Sequence, residues 1–102
     1  MNRAILIGRL TKDPELRKTQ SGKSVSSFNL AVDRIGSNTD TDFIPITAWG
    51  NTADNLCKYM YKGALIAVEG HITTERYDSN GSTVYKTYIT ADQIQFLERA
   101  NR

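Results

Sequence analysis

The sequence predicts an all-β barrel of five strands with one helix between the third and fourth strands. Apolar and polar residues alternate with a period of two over most of the chain, which is the pattern of half-buried strands. A single stretch has the three-to-four-residue spacing of an amphipathic helix. Because the chain has 102 residues and one cysteine, residues 1–102 are expected to form one small domain.

The first two strands are predicted before residue 33. Residues 3–10 form a nearly continuous apolar run with a charge at each end, which is too short for a helix. Residues 11–22 contain Asp13-Pro14 and further turn signals, so we expect a loop or a short hairpin extension. From Ser24 to Val32 the large apolar side chains alternate with smaller ones, which predicts a second, half-buried strand.

The third strand is predicted from Asp42 to Trp49, after a polar segment. Asp33 to Asp42 has almost no large apolar residue, so it predicts a flexible loop. In the strand, one face carries the aliphatic residues Ile44, Ile46 and Ala48. That face is expected to pack on the core, which leaves Phe43 and Trp49 on the other side of the strand.

The helix is predicted from about Thr52 to Lys62. Its apolar stripe consists of Ala53, Leu56, Cys57 and Met60. Asn51 is the expected N-cap and Gly63 the expected C′ residue.

Two long strands are predicted after the helix, from Ala64 to Tyr77 and from Ser82 to Ala91. Asn80-Gly81 between them is typical of a tight hairpin turn. The apolar piece Ile94 to Leu97 is expected to extend the last strand after a bulge. Three strands, a helix and two strands are the element order of an OB-fold, a five-stranded Greek-key barrel.

Several functional classes are disfavoured by the sequence. The lone Cys57 excludes an intramolecular disulfide, no Cys and His residues have metal-ligand spacing, and a cytoplasmic location is expected. Arg3 and Arg9 interrupt the apolar start, so neither a signal peptide nor a membrane span is predicted. Gly22-Lys23-Ser24 lacks the first glycine of a P-loop. No nucleophile is accompanied by a plausible base, and we predict no enzyme, cofactor or metal site.

The charge is uneven along the chain. The 13 Lys and Arg against 11 Asp and Glu give a net charge of +2. Seven basic and three acidic residues up to Arg34 give +4, and the six basic and eight acidic residues that follow give −2. A basic face is one interpretation of this asymmetry, and solvated loops are the other.

Aromatic residues on a non-core face, with cations nearby, indicate binding of single-stranded nucleic acid. Flat rings stack on unpaired bases, and Lys and Arg neutralise phosphates. The candidates for stacking are Phe43, Trp49 and Tyr77. The candidates for phosphate contacts are Arg3, Arg9, Arg34, Lys62, Arg76 and Lys86. The alternative is that aromatic rings pack in the core or at a subunit interface; it is favoured for Tyr85 and Tyr88 and stays open for Trp49.

Segments along the whole chain resemble bacterial and phage single-stranded DNA-binding proteins. The opening Asn2 to Arg17, with its Asp-Pro-Glu-Leu-Arg, is similar to the start of that family. The other matching segments are Val25 to Ala31, Ile46 to Gly50, Tyr59 to Gly63, Val68 to Ile72 and Thr74 to Tyr77.

The resemblance implies a homotetramer of OB-folds that binds and protects single-stranded DNA in replication, recombination and repair. It places the family's stacking aromatics on Phe43, Trp49 and Tyr77. A further family aromatic near the end of the second strand has no match, and Arg34 is a candidate substitute by guanidinium stacking. Glu75 stands where the family commonly has a basic residue.

The sequence departs from the resembled family most clearly after Leu97, where family members usually continue into a linker and an acidic tip. Either a truncation or a natural short form is consistent with this end, and tail-mediated partners are not expected. A dimer, and a primosomal or adaptor OB-fold that acts through protein contacts, remain alternatives.

Overall fold

Six strands and one helix make up the computed structural model, which describes residues 1–36 and 39–98. In chain order the elements are β1 Ala4–Leu10, β2 Arg17–Lys18, β3 Ser24–Asp33, β4 Thr41–Trp49, α1 Gly50–Tyr59, β5 Leu65–Ser79 and β6 Ser82–Phe96.

The strands form a sheet that closes on itself. Their order is β1-β5-β6-β4-β3-β2, and β1 also pairs with β3. All pairs are antiparallel except β4 with β6. The predicted OB-fold is confirmed, with the helix between the third and fourth long strands. The two-residue β2 pairs with the start of β3 and is the predicted hairpin extension.

The core lies inside the barrel and under the helix. Its fully buried large side chains include Leu30, Ile46, Leu56, Ile66 and Val68. The helix contributes Ala53 and Leu56, and the buried Met60 follows directly after it. Phe28 and Tyr61 pack against this cluster from its margin. The faces predicted for the strands are therefore the faces that the fold buries.

Two glycines stand where neighbouring strands approach too closely for a side chain. A Cβ atom at Gly8 would lie 2.3 Å from the carbonyl oxygen of Ala31, beside the β1–β3 pairs that close the barrel. A Cβ atom at Gly70 would lie 2.1 Å from the carbonyl oxygen of Thr90. Gly70 flanks the predicted bulge, which is confirmed: the β5–β6 register skips Asp92. The barrel is thus closed at positions that only glycine fits.

The predicted limits of the helix are wrong at both ends. The helix begins at Gly50 and Trp49 is its N-cap, so Asn51 lies inside the first turn. The helix ends at Tyr59 because Met60 adopts an extended backbone and turns into the core. Gly63 is therefore not the C′ residue, and its N–H donates to the carbonyl oxygen of Leu10 at 2.8 Å. Contacts with β1 thus determine where this connection leaves the helix.

The other predicted bounds shift by one or two residues, and β6 runs without a break through the predicted extension as far as Phe96. Asn80 and Gly81 both have positive φ, as the predicted hairpin turn requires. The predicted flexible loop includes residues 37 and 38, which lie outside the described residues. In its described part, the Arg34 N–H donates to the carbonyl oxygen of Asp40 at 3.1 Å. Across residues 1–36 and 39–98, no helix has the length and hydropathy needed to cross a membrane.

Glu98 fastens the segment after β6 to the barrel. Its carboxylate accepts hydrogen bonds from the backbone N–H of Leu65 at 3.0 Å and from the Arg9 guanidinium at 3.2 Å. These contacts lower the pKa of Glu98 below its ordinary value of 4.5. Since the folded form holds the carboxylate ionised, this contribution to stability is present above that value and is lost as the pH falls through the lowered pKa.

Glu98→Gln is expected to weaken the acid sensitivity of the fold. The glutamine still accepts the Leu65 hydrogen bond but does not titrate, so the urea midpoint should fall less on acidification than in the wild type. Urea unfolding followed by circular dichroism between about pH 3 and pH 7 measures this difference. The same acid-induced fall in both proteins would contradict the role given to Glu98.

Candidate nucleic-acid interface

The outward-facing residues of β3, β4, β6 and β5 form one continuous surface, which we call the aromatic face. On β3 and β4, the outward pairs include Val25 with Trp49 and Ala31 with Phe43. Thr47 of β4 pairs with Thr90 of β6, whose hydroxyl lies 2.6 Å from that of Thr73 on β5. Alternation along β5 then places Tyr77 on the same face. The three predicted stacking residues therefore share one surface.

The three aromatic rings are exposed and well separated. The exposed fractions are 63% for Phe43, 38% for Trp49 and 52% for Tyr77. Phe43 and Trp49 are six residues apart on β4, which corresponds to about 20 Å at about 3.3 Å per residue. This spacing does not form a pocket for one small molecule. It suits separate contacts along an extended ligand.

Phe43 borders the strands that close the barrel. Its partner on the neighbouring strand β3 is the small residue Ala31, which also pairs with Arg9 of β1. Ile7, Arg9, Ala31 and Phe43 line a shallow groove there. The exposed Phe43 ring therefore lies beside a groove whose lining combines apolar side chains with the Arg9 guanidinium and the Asp33 carboxylate.

Trp49 is covered in part by a cation that the sequence analysis did not assign to the site. The Lys23 ammonium lies 5.1 Å from the centroid of the indole ring. Lys23 directly precedes β3, and Val25, two residues on, is the partner of Trp49. In the sequence, Lys23 stands two residues before Val25 and so shares the outward-facing side of β3. This position points to Trp49 only when the pairing of β3 with β4 is known.

Tyr77 lies on the β5–β6 arm, the part of the hairpin beyond Ile72 and Ile89. It pairs with Val84, and Lys86 lies two residues further along the same face of β6. Tyr88 is on this face too, but its hydroxyl donates to the Glu75 carboxylate at 3.0 Å. Partial burial and this neighbour raise the pKa of Tyr88.

Tyr85 does not pack in the core, so a subunit interface is the packing alternative that stays open for it. It pairs with Arg76 on the opposite face of the arm and is 70% exposed. The arm extends beyond the barrel, so nothing in the described chain covers this ring. Arg76 is thereby separated from Tyr77 and Lys86, which lie on the aromatic face.

The predicted phosphate-binding residues fall into two groups. Three arginines have carboxylate partners: Arg3 with Glu69, Arg9 with Glu98, and Arg34 with Asp42. Among the described residues, no carboxylate lies within 4.0 Å of the side-chain nitrogens of Lys62, Arg76, Lys86 or Lys23. The second group therefore forms no ion pair, although Glu75 stands opposite Lys86 and the Asp13 carboxylate accepts a hydrogen bond from the Lys62 backbone N–H at 2.7 Å.

Arg34 joins the two ends of the loop between β3 and β4. Its guanidinium donates to the Asp42 carboxylate at 2.7 Å, and Asp40 lies 3.9 Å away. The Arg34 hydrogen bond lowers the pKa of Asp42. The guanidinium that could replace the missing family aromatic is thus engaged within this loop.

Groups with catalytic or metal-binding potential are few in the part of the chain that the structure describes. Residues 1–36 and 39–98 contain no group of three or more His, Cys, Asp and Glu arranged around a metal position. His71 contacts Asp92 at 3.2 Å beside the β-bulge. Cys57 is half-buried on the helix.

Comparison with known proteins shows which family the chain resembles over nearly its whole length. Residues 1–97 match the model of the single-strand binding protein family. Single-stranded DNA-binding protein 1 of Staphylococcus aureus strain MSSA476 is 49% identical over 106 residues, covering 99% of this chain and 68% of the relative. Single-stranded DNA-binding protein 3 of Clostridium acetobutylicum is 50% identical over 103 residues, covering 96% and 72%. A single-stranded DNA-binding protein of Oceanobacillus iheyensis is 46% identical over 103 residues, covering 96% and 64%.

Proposed function

Because the chain belongs to the single-strand binding protein family, we propose that it binds and protects single-stranded DNA without sequence preference. It acts in replication, recombination and repair in the bacterial cytoplasm or nucleoid. Bases stack on Phe43, Trp49 and Tyr77, and lysines and arginines neutralise the phosphates. No bond is made or broken in this function, so the chain is not an enzyme.

The observation that carries this proposal is the exposure of three aromatic rings on one continuous face. Rings that serve only the core would be turned inward, as Phe28 is. Each base stacked on an aromatic ring contributes about 1–3 kcal/mol, and every base has a face that can stack. Rings separated along an extended surface therefore support binding to a strand of any sequence.

Basic residues on and around the barrel support the phosphate contacts, with Lys86 on the aromatic face and Arg76 on the opposite face of the arm. Lys62, Arg76 and Lys86 form no ion pair within 4.0 Å in the described chain, so their side chains can reach a phosphate without first leaving a carboxylate. The arginines paired with carboxylates can also exchange partners, because an exposed ion pair is worth only about 0–1 kcal/mol. A chain with a net charge of +2 can therefore still bind a polyanion along one face.

Fluorescence anisotropy of labelled oligonucleotides tests the proposed function. The protein should bind a dT oligomer and a mixed-sequence single strand with similar affinity, and an unlabelled duplex should compete poorly. The logarithm of the affinity should fall with the logarithm of the salt concentration, with a slope of about −0.7 per phosphate contact. Preference for the duplex, or an affinity that does not depend on salt, would overturn the proposal.

The outward face of β1 supports self-association. Ile5 is 68% exposed and Ile7 is 56% exposed. From Ala4 to Ile7, β1 pairs with β5 on one side, and its pairing with β3 begins only at Arg9. Two neighbouring exposed isoleucines beside an open strand edge favour burial against another copy. We propose that the chain self-associates here, with the homotetramer implied by the family resemblance as the expected assembly.

Ile5→Glu is expected to break this assembly. The carboxylate would be buried without a partner at the interface, so the molecular mass should fall towards that of a single chain. Sedimentation velocity measures the mass, and a short dT oligomer measures whether each subunit still binds DNA. Lys58→Glu, an acidic change at an exposed position on the helix, which packs on β3, β4 and β6, is the control for the mass. An unchanged mass for Ile5→Glu would contradict the interface.

A further inference from the structure

Lys23 is anchored by its backbone while its side chain lies over Trp49. The carbonyl oxygen of Lys23 accepts a hydrogen bond from the Thr19 N–H at 2.9 Å. The backbone N–H of Lys23 donates a hydrogen bond to the Thr19 hydroxyl at 3.1 Å. The ammonium then lies 5.1 Å from the indole centroid. The turn between β2 and β3 is thus fixed at this point, and the lysine side chain is the part that can move.

Lys23 differs from the other lysines that lie over aromatic rings. Lys86 covers Tyr88, whose hydroxyl is bound to Glu75, and Lys58 covers Tyr59 on the helix, which packs near Phe96. Within the described residues, Lys23 alone covers a ring that the proposed function assigns to stacking. Its ammonium has no carboxylate within 4.0 Å there.

An ammonium and a base cannot occupy the same face of the indole. An exposed cation–π contact is weaker than the stacking of a base on an aromatic ring, so a base can displace the lysine. The displaced ammonium remains tethered by its fixed backbone within the length of one side chain. A nucleotide whose base lies on Trp49 brings its own phosphate into that range.

We propose that Lys23 is a DNA-contacting residue that exchanges partners on binding. In the free protein its ammonium covers Trp49, and in the complex a base takes the ring while the ammonium moves to an adjacent phosphate. This inference rests on the proposed function, because it needs single-stranded DNA at Trp49. The site thereby keeps its indole covered when no DNA is bound.

Lys23→Gln tests the exchange in oligonucleotide binding, with Lys58→Gln as the matched control. Both variants remove one lysine that lies over an aromatic ring, but Lys58 is on the helix and outside the aromatic face. If Lys23 contacts one phosphate, the slope of log affinity against log salt should become shallower by about 0.7 in Lys23→Gln. The affinity ratio of wild type to this variant should then shrink about 2.6-fold when the salt is raised fourfold. Lys58→Gln should keep the wild-type slope, and Lys23→Arg should restore it.

Acrylamide quenching of the free protein tests the covered state without DNA. Trp49 is the chain's only tryptophan, so its emission reports this ring alone. The Stern–Volmer constant should rise in Lys23→Gln and stay unchanged in Lys58→Gln, with circular dichroism confirming that both variants are folded.

The two proposals fail in different ways. If the wild type binds single-stranded DNA and Lys23→Gln keeps both its salt slope and its quenching constant, the exchange is overturned and the proposed function stands. Equal loss of slope in Lys23→Gln and Lys58→Gln overturns the specific contact in favour of a general charge effect. If the wild type does not bind at low salt, both proposals fall.

Discussion

Gly70→Ala is expected to destabilise the fold more than the same change at any other glycine of the chain. The new Cβ atom would lie 2.1 Å from the carbonyl oxygen of Thr90, and the next nearest atoms also belong to the β6 backbone. Because no flexible side chain can move aside, the β5–β6 pairing beside the bulge must separate. Overpacking of this kind costs about 3 kcal/mol or more, which is a large part of the stability of a small domain. Urea unfolding followed by circular dichroism measures the loss.

Gly22→Ala is the matched control for this prediction. Gly22 has a φ of +88° but no neighbour within 4 Å of the added Cβ atom. The change therefore costs only the backbone preference, about 1 kcal/mol. A free energy of unfolding for Gly70→Ala within about 0.5 kcal/mol of the wild type would contradict the close approach of β5 and β6 at this position.

Trp49→Ala and Phe43→Ala are expected to weaken binding to single-stranded DNA strongly. Loss of one stacked base costs about 1–3 kcal/mol, which corresponds to a roughly 5- to 150-fold lower affinity for each variant. The residues lie about 20 Å apart along β4, so the double variant should show the sum of the two free-energy losses. Titration of a labelled dT oligomer measures the affinities, and sedimentation velocity measures the oligomer.

Tyr85→Ala is the control for the loss of an exposed aromatic ring. Tyr85 is 70% exposed, more than Phe43 or Trp49, but lies on the opposite face of the β5–β6 arm. Its removal should leave the affinity within about threefold of the wild type, as a small surface effect of about 0.5 kcal/mol would. Dissociation of Trp49→Ala and Phe43→Ala into monomers with unchanged DNA affinity would instead support the adaptor alternative, in which these rings bind protein.

The order and faces of the long strands could be predicted from the sequence because burial imposes the period of two. Ile46 and Ala48 are buried and Phe43 and Trp49 are exposed, as the alternation along one strand indicates. The bulge beside Gly70 could likewise be expected from the break between the two apolar pieces of β6.

The limits of the helix could not be predicted from local signals. Asn51 is a favourable N-cap residue, but Trp49 takes that position because β4 continues directly into the helix. Gly63 has the positive φ expected after a helix, yet it serves the contact with Leu10 in β1. Both results depend on tertiary contacts that propensity does not describe.

The exposure of the candidate stacking residues was predicted more completely than the charges around the candidate phosphate-binding residues. The three aromatics follow from strand alternation and the resemblance. Arg9 and Arg34 looked equivalent to Lys62 and Lys86 in sequence, but the fold places Glu98 beside Arg9 and Asp42 beside Arg34. Pairing over 89 residues, as between Arg9 and Glu98, has no local signal in the sequence.

Titration of the Trp49 emission with poly(dT) at low salt tests the central claim most directly. Trp49 is the only tryptophan and lies on the aromatic face, so a base stacked on it must change its fluorescence. We predict a saturable change in emission that reverses when salt is added, because phosphate contacts are lost. Unchanged emission at saturating poly(dT), together with no complex in a mobility-shift assay at low salt, would contradict the claim.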